Sequence, residues 1–98
     1  MLPAETTKYD ETTYLVKRPV YVLYKKIPSE LYFTVRGDDI NDVWVEDFLK
    51  NETIKINIIR KSIDEIKFYV QHPNNIYSIF VRTSSPSSIT YDFDFDVN

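Results

Sequence analysis

The chain has 98 residues, with 15 acidic and 12 basic side chains, a net charge of −3 and no cysteine. These values exclude disulfide staples, thiolate catalysis and cysteine-bound metal sites, and they argue against strong binding of a phosphate backbone. The one glycine, Gly37, excludes glycine-rich loops that cradle phosphates. The length suits one domain with a modest core, and the surplus of Tyr and Phe favours β-structure.

Residues 1–12 are mostly polar or charged, and we interpret them as an N-terminal arm ahead of a single domain over residues 13–98. The chain starts without a basic segment or an apolar run, so we expect no signal peptide. No stretch reaches the ~20 apolar residues of a membrane-spanning helix. We therefore expect a cytoplasmic protein without a membrane partner, in the host cytoplasm or the virion if a virus encodes it.

Two strands are predicted in the first third of the chain. Residues 20–24 are apolar on both faces, and the preceding Pro19 marks a strand start, an edge or a bulge. Residues 31–36 alternate, with Leu, Phe and Val on one side. The turn at residues 27–30 joins these strands and predicts a hairpin.

A helix is predicted over residues 39–50, because apolar residues recur there every three or four positions. The stripe consists of Ile40, Val43, Trp44 and Leu49. Trp44 is therefore expected in the core. Asp39 is placed to cap the helix, and Glu46 and Asp47 are expected to make its outer face negative.

The middle of the chain predicts two more strands, over residues 54–58 and 66–70, where apolar and polar residues alternate. Residues 62–71 also carry a helical signal, since Ser62 is followed three positions later by Glu65 as in a capping box. Tyr, Phe and Val favour the strand, and the helix stays open as the alternative.

The last third predicts strands over residues 76–82 and 89–96, separated by a serine-rich linker at residues 83–88. The predicted order is ββαββββ. This order describes a small α+β domain that is rich in β-structure and mainly antiparallel.

The terminal strand carries an acidic row, Asp92, Asp94 and Asp96, on one face, with successive carboxylates roughly 7 Å apart. Three interpretations are open: a solvated face of an edge strand, a surface for a basic partner, or a site for a divalent cation. The metal interpretation is the weakest, because a compact site needs oxygens that converge on one ion. We predict no metal and no cofactor.

The favoured hypothesis is a non-enzymatic protein–protein interaction module. Its expected contact residues are Asp92, Asp94, Asp96, Glu46 and Asp47. The terminal amphipathic strand would either complete its own sheet or add to that of a neighbour, binding a partner protein or building a homo-oligomer. The Ile-, Lys-, Asn- and Tyr-rich composition suits a small protein from an AT-rich genome, including that of a phage or virus.

The alternative hypothesis is a β-domain that binds nucleic acid. Lys55, Lys67 and Tyr69 fall on the polar faces of the two central strands. Interleaved Lys and Tyr on a sheet is the composition of a platform on which the bases of a single strand stack.

Overall fold

A computed structural model of the chain describes residues 5–23, 25–71, 73 and 75–95. It contains seven strands: β1 (Glu5–Lys8), β2 (Tyr14–Tyr21), β3 (Glu30–Asp47), β4 (Thr53–Ile54), β5 (Asn57–Lys61), β6 (Glu65–Gln71) and β7 (Ile76–Phe95). Every strand pair is antiparallel, which confirms the predicted antiparallel, β-rich character. Since the described ranges contain no helix, the predicted α+β class is wrong.

The two long strands β3 and β7 form the centre of the sheet, which has the order β1-β2-β7-β3-β6-β5, with β4 also on β3. Each long strand changes its outer neighbour halfway along. We call layer 1 the group formed by β5, β6, residues 30–36 of β3 and residues 90–95 of β7. Layer 2 consists of β1, β2, residues 76–83 of β7, residues 40–47 of β3 and β4.

The two layers fold back on each other. Phe33 pairs with Phe93 in layer 1, whereas Tyr77 pairs with Asp47 in layer 2. Along a straight β3, the fourteen positions from Phe33 to Asp47 would span about 46 Å. The Phe33 and Tyr77 rings are nevertheless 5.7 Å apart, edge to face. The sheet is therefore bent so sharply that its halves enclose a common core.

That core consists of the inward-facing residues of both layers, which alternate along their strands. Its members below 4% exposure are Val16, Val20, Leu31, Phe33, Val35, Val45, Ile66, Phe68, Val70, Tyr77, Ile79 and Val81. Phe33 is at its centre and stacks on Phe68 at 5.1 Å. The alternation in residues 31–36 and 66–70 therefore predicts the buried face correctly.

The bend is a corner built at residues 37–41 of β3 and residues 84–89 of β7, where the pairing register shifts twice. Asp39 has φ of 51°, a left-handed conformation that Asp tolerates better than most residues. The hydroxyl of the fully buried Thr83 lies 2.7 Å from the carbonyl oxygen of Asp38 and accepts the N–H of Ser85 at 3.0 Å. These bonds satisfy backbone groups that the ladder leaves open at the corner.

The predicted helix over residues 39–50 is instead strand as far as Asp47, followed by a turn. Ile40 and Val43 both face the core because β3 carries one extra residue between the pairs Ile40–Thr83 and Asp42–Arg82. This bulge turns a spacing of two into a spacing of three, which imitates a helical stripe. Leu49 is 78% exposed, as a residue beyond the strand can be.

The structure also corrects the predicted linker, the predicted hairpin and the extent of the N-terminal arm. β7 runs without a break through residues 83–88, so the predicted serine-rich linker is the corner of a single strand. The predicted hairpin between the first two apolar segments is wrong, because β2 pairs with β1 and β7 and not with β3. β1 takes residues 5–8 of the predicted arm into the sheet. The strand interpretation of residues 66–70 is confirmed by β6.

Candidate functional site

The candidate site is the outer face of layer 1 together with its two edges. Asp92 lies on this face opposite Thr34, as its place in the alternation predicts, and its side chain is 60% exposed. It forms an ion pair with Arg36. The acidic row is therefore partly neutralised from within the molecule, which the sequence did not indicate.

Arg36 connects Asp92 to a small network of charges. Its Nε donates to Oε2 of Glu65 at 3.1 Å, and Nη1 of Arg60 lies 3.8 Å from Oε1 of the same carboxylate. The hydrogen bond to Glu65, together with the nearby charge of Asp92, holds the pKa of Arg36 above its ordinary value. These side chains link all four strands of layer 1.

The last part of β7 forms one edge of layer 1. Within the described residues, positions 90–95 pair with β3 on one side and with no strand on the other. Asp94 pairs with Tyr32 along the backbone. The side chain of Asp94 and the whole of Asp96 lie outside the described part of the chain. The terminal strand is therefore an edge, one of the alternatives that the sequence left open.

β5 forms the opposite edge of layer 1, since it pairs with β6 alone among the described strands. It carries two basic residues, Arg60 and Lys61. Ile58 and Ile59 are each 51% exposed, which is unusual for large apolar residues on a sheet edge. The two edges of layer 1 thus differ in charge: the β7 edge is acidic and the β5 edge is basic and apolar.

The other two predicted contact residues lie in layer 2 and do not join this surface. Glu46 pairs with Ser78 and Thr53, and alternation puts it on the outer face opposite to that of Val45. Asp47 ends β3, and its Oδ1 accepts the N–H groups of the next turn at 2.9 and 3.0 Å. Because the outer faces of packed layers point away from each other, Glu46 and Asp92 are on opposite sides of the molecule.

The residues of the nucleic-acid hypothesis are brought together in part. Tyr69 lies on the outer face of layer 1, and its ring is 5.4 Å from that of Tyr32. Lys67 is on the same face and lines a pocket of about 360 Å³. The other lining residues are Tyr32, Thr34, Ile59, Asp92 and Phe93. Lys55 is exposed in the connection between β4 and β5 and does not line this pocket.

Layer 2 carries an aromatic surface that the sequence did not predict. Trp44 is not in the core as expected, because it alternates with the buried Val43 and Val45 and faces outward. Its ring stacks on that of Phe80 at 5.4 Å with an interplanar angle of 7°. The ammonium group of Lys17 lies 5.6 Å from the centre of the Phe80 ring. Neighbouring strands therefore cover one another's outward rings.

The sequence held a usable signal for some of the missed residues. Tyr32, Thr34 and Arg36 are the polar positions of an alternating run, which assigns them to one outer face. No local pattern connects that run to Asp92, which is 56 positions away from Arg36. The sequence did not predict the Trp44–Phe80 stack, because the bulge at residues 40–42 led to a helical interpretation of this segment.

The chain matches no protein-family model, and no similar protein is found among curated proteins or solved structures. The described ranges include no helix with the length and apolar character needed to cross a membrane. In the same part of the chain, no three His, Asp or Glu side chains converge as metal ligands do.

Proposed function

We propose that the chain is a non-enzymatic protein-interaction module whose contact surface is the acidic β7 edge of layer 1. An extended segment of a partner would add to residues 90–95 as a further antiparallel strand. Main-chain hydrogen bonds would supply the affinity, and basic side chains facing Asp92 and Asp94 would supply the specificity.

The observation that carries this proposal is the edge at residues 90–95, which pairs with β3 alone among the described strands. An unpaired row of backbone N–H and C=O groups is a template for another strand. Asp92 remains 60% exposed despite its ion pair with Arg36, so it is accessible to a second cation. Asp96 stays a predicted contact residue outside the described part of the chain. Glu46 and Asp47 stay predictions too, for a different surface.

The test uses a synthetic peptide in which Lys and Ile alternate, as the simplest basic amphipathic strand. We expect saturable binding by calorimetry, weakening with salt, together with slower hydrogen exchange at residues 90–95. Asp92→Asn with Asp94→Asn should reduce both the affinity and its salt dependence. The matched control is Asp38→Asn with Asp64→Asn, which changes one residue at the corner and one in the turn between β5 and β6.

Binding without protection of residues 90–95 would contradict the proposed edge. Equal affinity of the wild type and the Asp92/Asp94 variant for the peptide would show that the acidic row does not contribute to binding. A peptide in which Glu replaces Lys should bind much more weakly, which separates charge recognition from nonspecific strand addition.

A second candidate function is binding of single-stranded nucleic acid on the outer face of layer 1. The Tyr32–Tyr69 ring pair beside Lys67 and the pocket support it, because bases stack on exposed rings next to a cation. The nearby Asp92 and Glu65 weigh against it, since they repel phosphates.

Oligonucleotides of poly(dT) and poly(U) at low salt test this second candidate by fluorescence anisotropy. Binding should fall steeply with salt, and Lys67→Gln with Tyr69→Ala should weaken it more than Lys8→Gln in β1 does. Lys55→Gln tests the remaining predicted residue separately. Absence of binding at low salt would end this hypothesis.

The proposal also includes a cytoplasmic location, in a host cell or virion if a virus encodes the chain. The cytoplasmic location is supported by the sequence, in which no stretch reaches the ~20 apolar residues of a membrane-spanning helix, and the viral origin by the amino-acid composition. Fractionation of cells that express the tagged chain tests it, and recovery in the membrane or secreted fraction would contradict it.

A further inference from the structure

The two edges of layer 1 carry opposite charges on one molecule. The β5 edge has Arg60 and Lys61, with side chains 71% and 47% exposed. The β7 edge has the exposed Asp92, followed two positions later by Asp94. Because one molecule has both a basic edge and an acidic edge, the basic edge of a second copy can bind the acidic edge of the first.

Strand direction allows this pairing without rearrangement. Layer 1 has the order β7-β3-β6-β5, and each neighbouring pair in it is antiparallel. β5 and β7 therefore run in opposite directions. A second copy placed beside the first in the same orientation brings its β5 next to residues 90–95 as an antiparallel neighbour, which continues the pattern of the layer.

The side-chain faces also agree. Within one molecule, β5 puts Ile58 opposite Phe68, on the core face, and Arg60 opposite Lys67, on the outer face. In β7, Phe93 faces the core beside Phe33, and Asp92 lies on the outer face beside Thr34. Registering Ile58 of the second copy opposite Phe93 sets its Asn57 opposite Asp94. Because β5 carries one extra residue between Ile58 and Arg60, the same register sets its Arg60 opposite Asp92. The same contact covers part of the exposed Ile58 and Ile59.

Charge selects this arrangement over the symmetric ones. Pairing β7 with β7 of another copy would bring Asp92 and Asp94 against the same residues. Pairing β5 with β5 of another copy would bring Arg60 and Lys61 against the same basic residues. Like charges across neighbouring strands are destabilising, whereas the β5–β7 junction sets Arg60 against Asp92 and brings a basic edge to an acidic one.

We propose that copies of this chain associate head to tail, the β5 edge of one copy pairing with residues 90–95 of β7 of the next. This inference rests on the proposed function, because it names a second copy as the partner of the same acidic edge. The contact is heterologous, so each added copy leaves one β5 edge and one β7 edge open, and the assembly grows as a chain or closes as a ring.

The test is the mass of the full chain by sedimentation and light scattering over a wide concentration range. The mass of the wild-type assembly should exceed that of a dimer as the protein concentration rises, and added salt should lower the mass again. Arg60→Glu with Lys61→Glu, or Asp92→Lys with Asp94→Lys, should each weaken association about a hundredfold or more. The variant with all four changes should associate again, because the charges of both edges are exchanged.

Lys25→Glu with Lys50→Glu is the matched control for the Arg60/Lys61 variant, since it makes the same change in net charge at exposed positions outside both edges. Circular dichroism verifies that each variant is folded. If the Asp-to-Lys pair fails to fold, Asp92→Asn with Asp94→Asn takes its place and should weaken association less.

A wild type that stays monomeric at its highest soluble concentration would overturn the inference. So would a dimer that Arg60→Glu with Lys61→Glu leaves intact, or a four-site variant that fails to regain association. If the wild type is monomeric but the Lys/Ile peptide still protects residues 90–95 from exchange, the proposed function stands and only the self-association fails.

Discussion

The two layers share the same pair of long strands, yet their edge strands differ in charge and in exposed apolar residues. The β1 edge of layer 2 has only polar residues, Glu5, Thr6, Thr7 and Lys8, all of them exposed. Such an edge offers mixed charge and no apolar surface to another strand. Layer 1 instead ends in the basic, isoleucine-bearing β5 and in the acidic part of β7. Among the described strands, layer 1 therefore has two edges of opposite charge, whereas the β1 edge of layer 2 has mixed charge and no apolar residue.

The outer faces differ in the same sense. Layer 2 covers its outward rings with one another and with Lys17, as the Trp44–Phe80 stack shows. Layer 1 leaves a pocket between Tyr32, Lys67 and Asp92 and fills its face with ion pairs. Exposed ion pairs contribute little to stability but much to the choice of a partner. This difference supports the proposal that a partner binds to layer 1, and it assigns the stacked rings of layer 2 to the stability of the fold.

The largest expected effect comes from removing the ring that joins the layers. Phe33→Ala deletes contacts with Phe68, Tyr77 and Phe93. It should lower the free energy of unfolding by about 3–5 kcal/mol, measured by urea denaturation, because a buried ring leaves a cavity. Leu23→Ala, at a position 74% exposed, should change it by less than about 0.5 kcal/mol. Similar losses in the two variants would contradict the shared core.

The corner should give the next largest effect. Thr83→Val keeps the side-chain shape but leaves the N–H of Ser85 without its acceptor and Asp38 without a donor. The expected loss is about 1–3 kcal/mol, with faster hydrogen exchange at residues 83–85. Thr53→Val, on exposed β4, is the control. An unchanged stability would mean that the hydroxyl does not hold the bend.

A double-mutant cycle on Trp44 and Phe80 measures the free energy by which these two stacked rings of layer 2 stabilise each other. Trp44→Ala, Phe80→Ala and the double variant should give a coupling of about 0.5–1.5 kcal/mol, as stacked rings do. The tilted Tyr32–Tyr69 pair of layer 1 should give a smaller coupling, about 0.2–1 kcal/mol. A larger coupling for Tyr32–Tyr69 than for Trp44–Phe80 would contradict the assignment of the stacked rings of layer 2 to the stability of the fold.

The smallest effect at neutral pH is expected at the seam between the layers. The Tyr91 hydroxyl is buried without a hydrogen-bond partner among the described residues, under the Arg18 guanidinium 5.0 Å from its ring centre. Tyr91→Phe removes this unpaired group, so the free energy of unfolding at pH 7 should stay the same or rise by about 1 kcal/mol. A loss of more than this amount would reveal a partner for the hydroxyl.

The same variant has a pH signature. Burial raises the pKa of Tyr91 above its ordinary value of 10.0, while the unfolded chain keeps the ordinary value. Above pH 10 the unfolded state therefore loses the proton that the folded state holds, and the wild type loses stability as pH rises. Tyr91→Phe should escape this loss, by up to about 1.4 kcal/mol for each pH unit. Parallel pH profiles of the two proteins would contradict the burial of the hydroxyl.

Part of the candidate site follows from the sequence. Alternation alone assigns Asp92 to an exposed face and gives Lys67 and Tyr69 a common face, as observed. It could not show that Arg36 neutralises Asp92, because the two residues meet only through the pairing of β3 with the end of β7. Nor could it show that β5 is the opposite edge, since edge position depends on the order of strands in the sheet.

The sequence by itself determined the β-rich character and the inward face of the short alternating runs, such as residues 31–36 and 66–70. A period of two needs no distant partner to specify which side chains share a face. The tertiary structure alone decided that residues 39–47 are strand and that the serine-rich residues 83–88 continue β7 into the corner. At these positions a bulge shifts the hydrophobic spacing and remote backbone groups satisfy the hydrogen bonds, so local pattern no longer determines conformation.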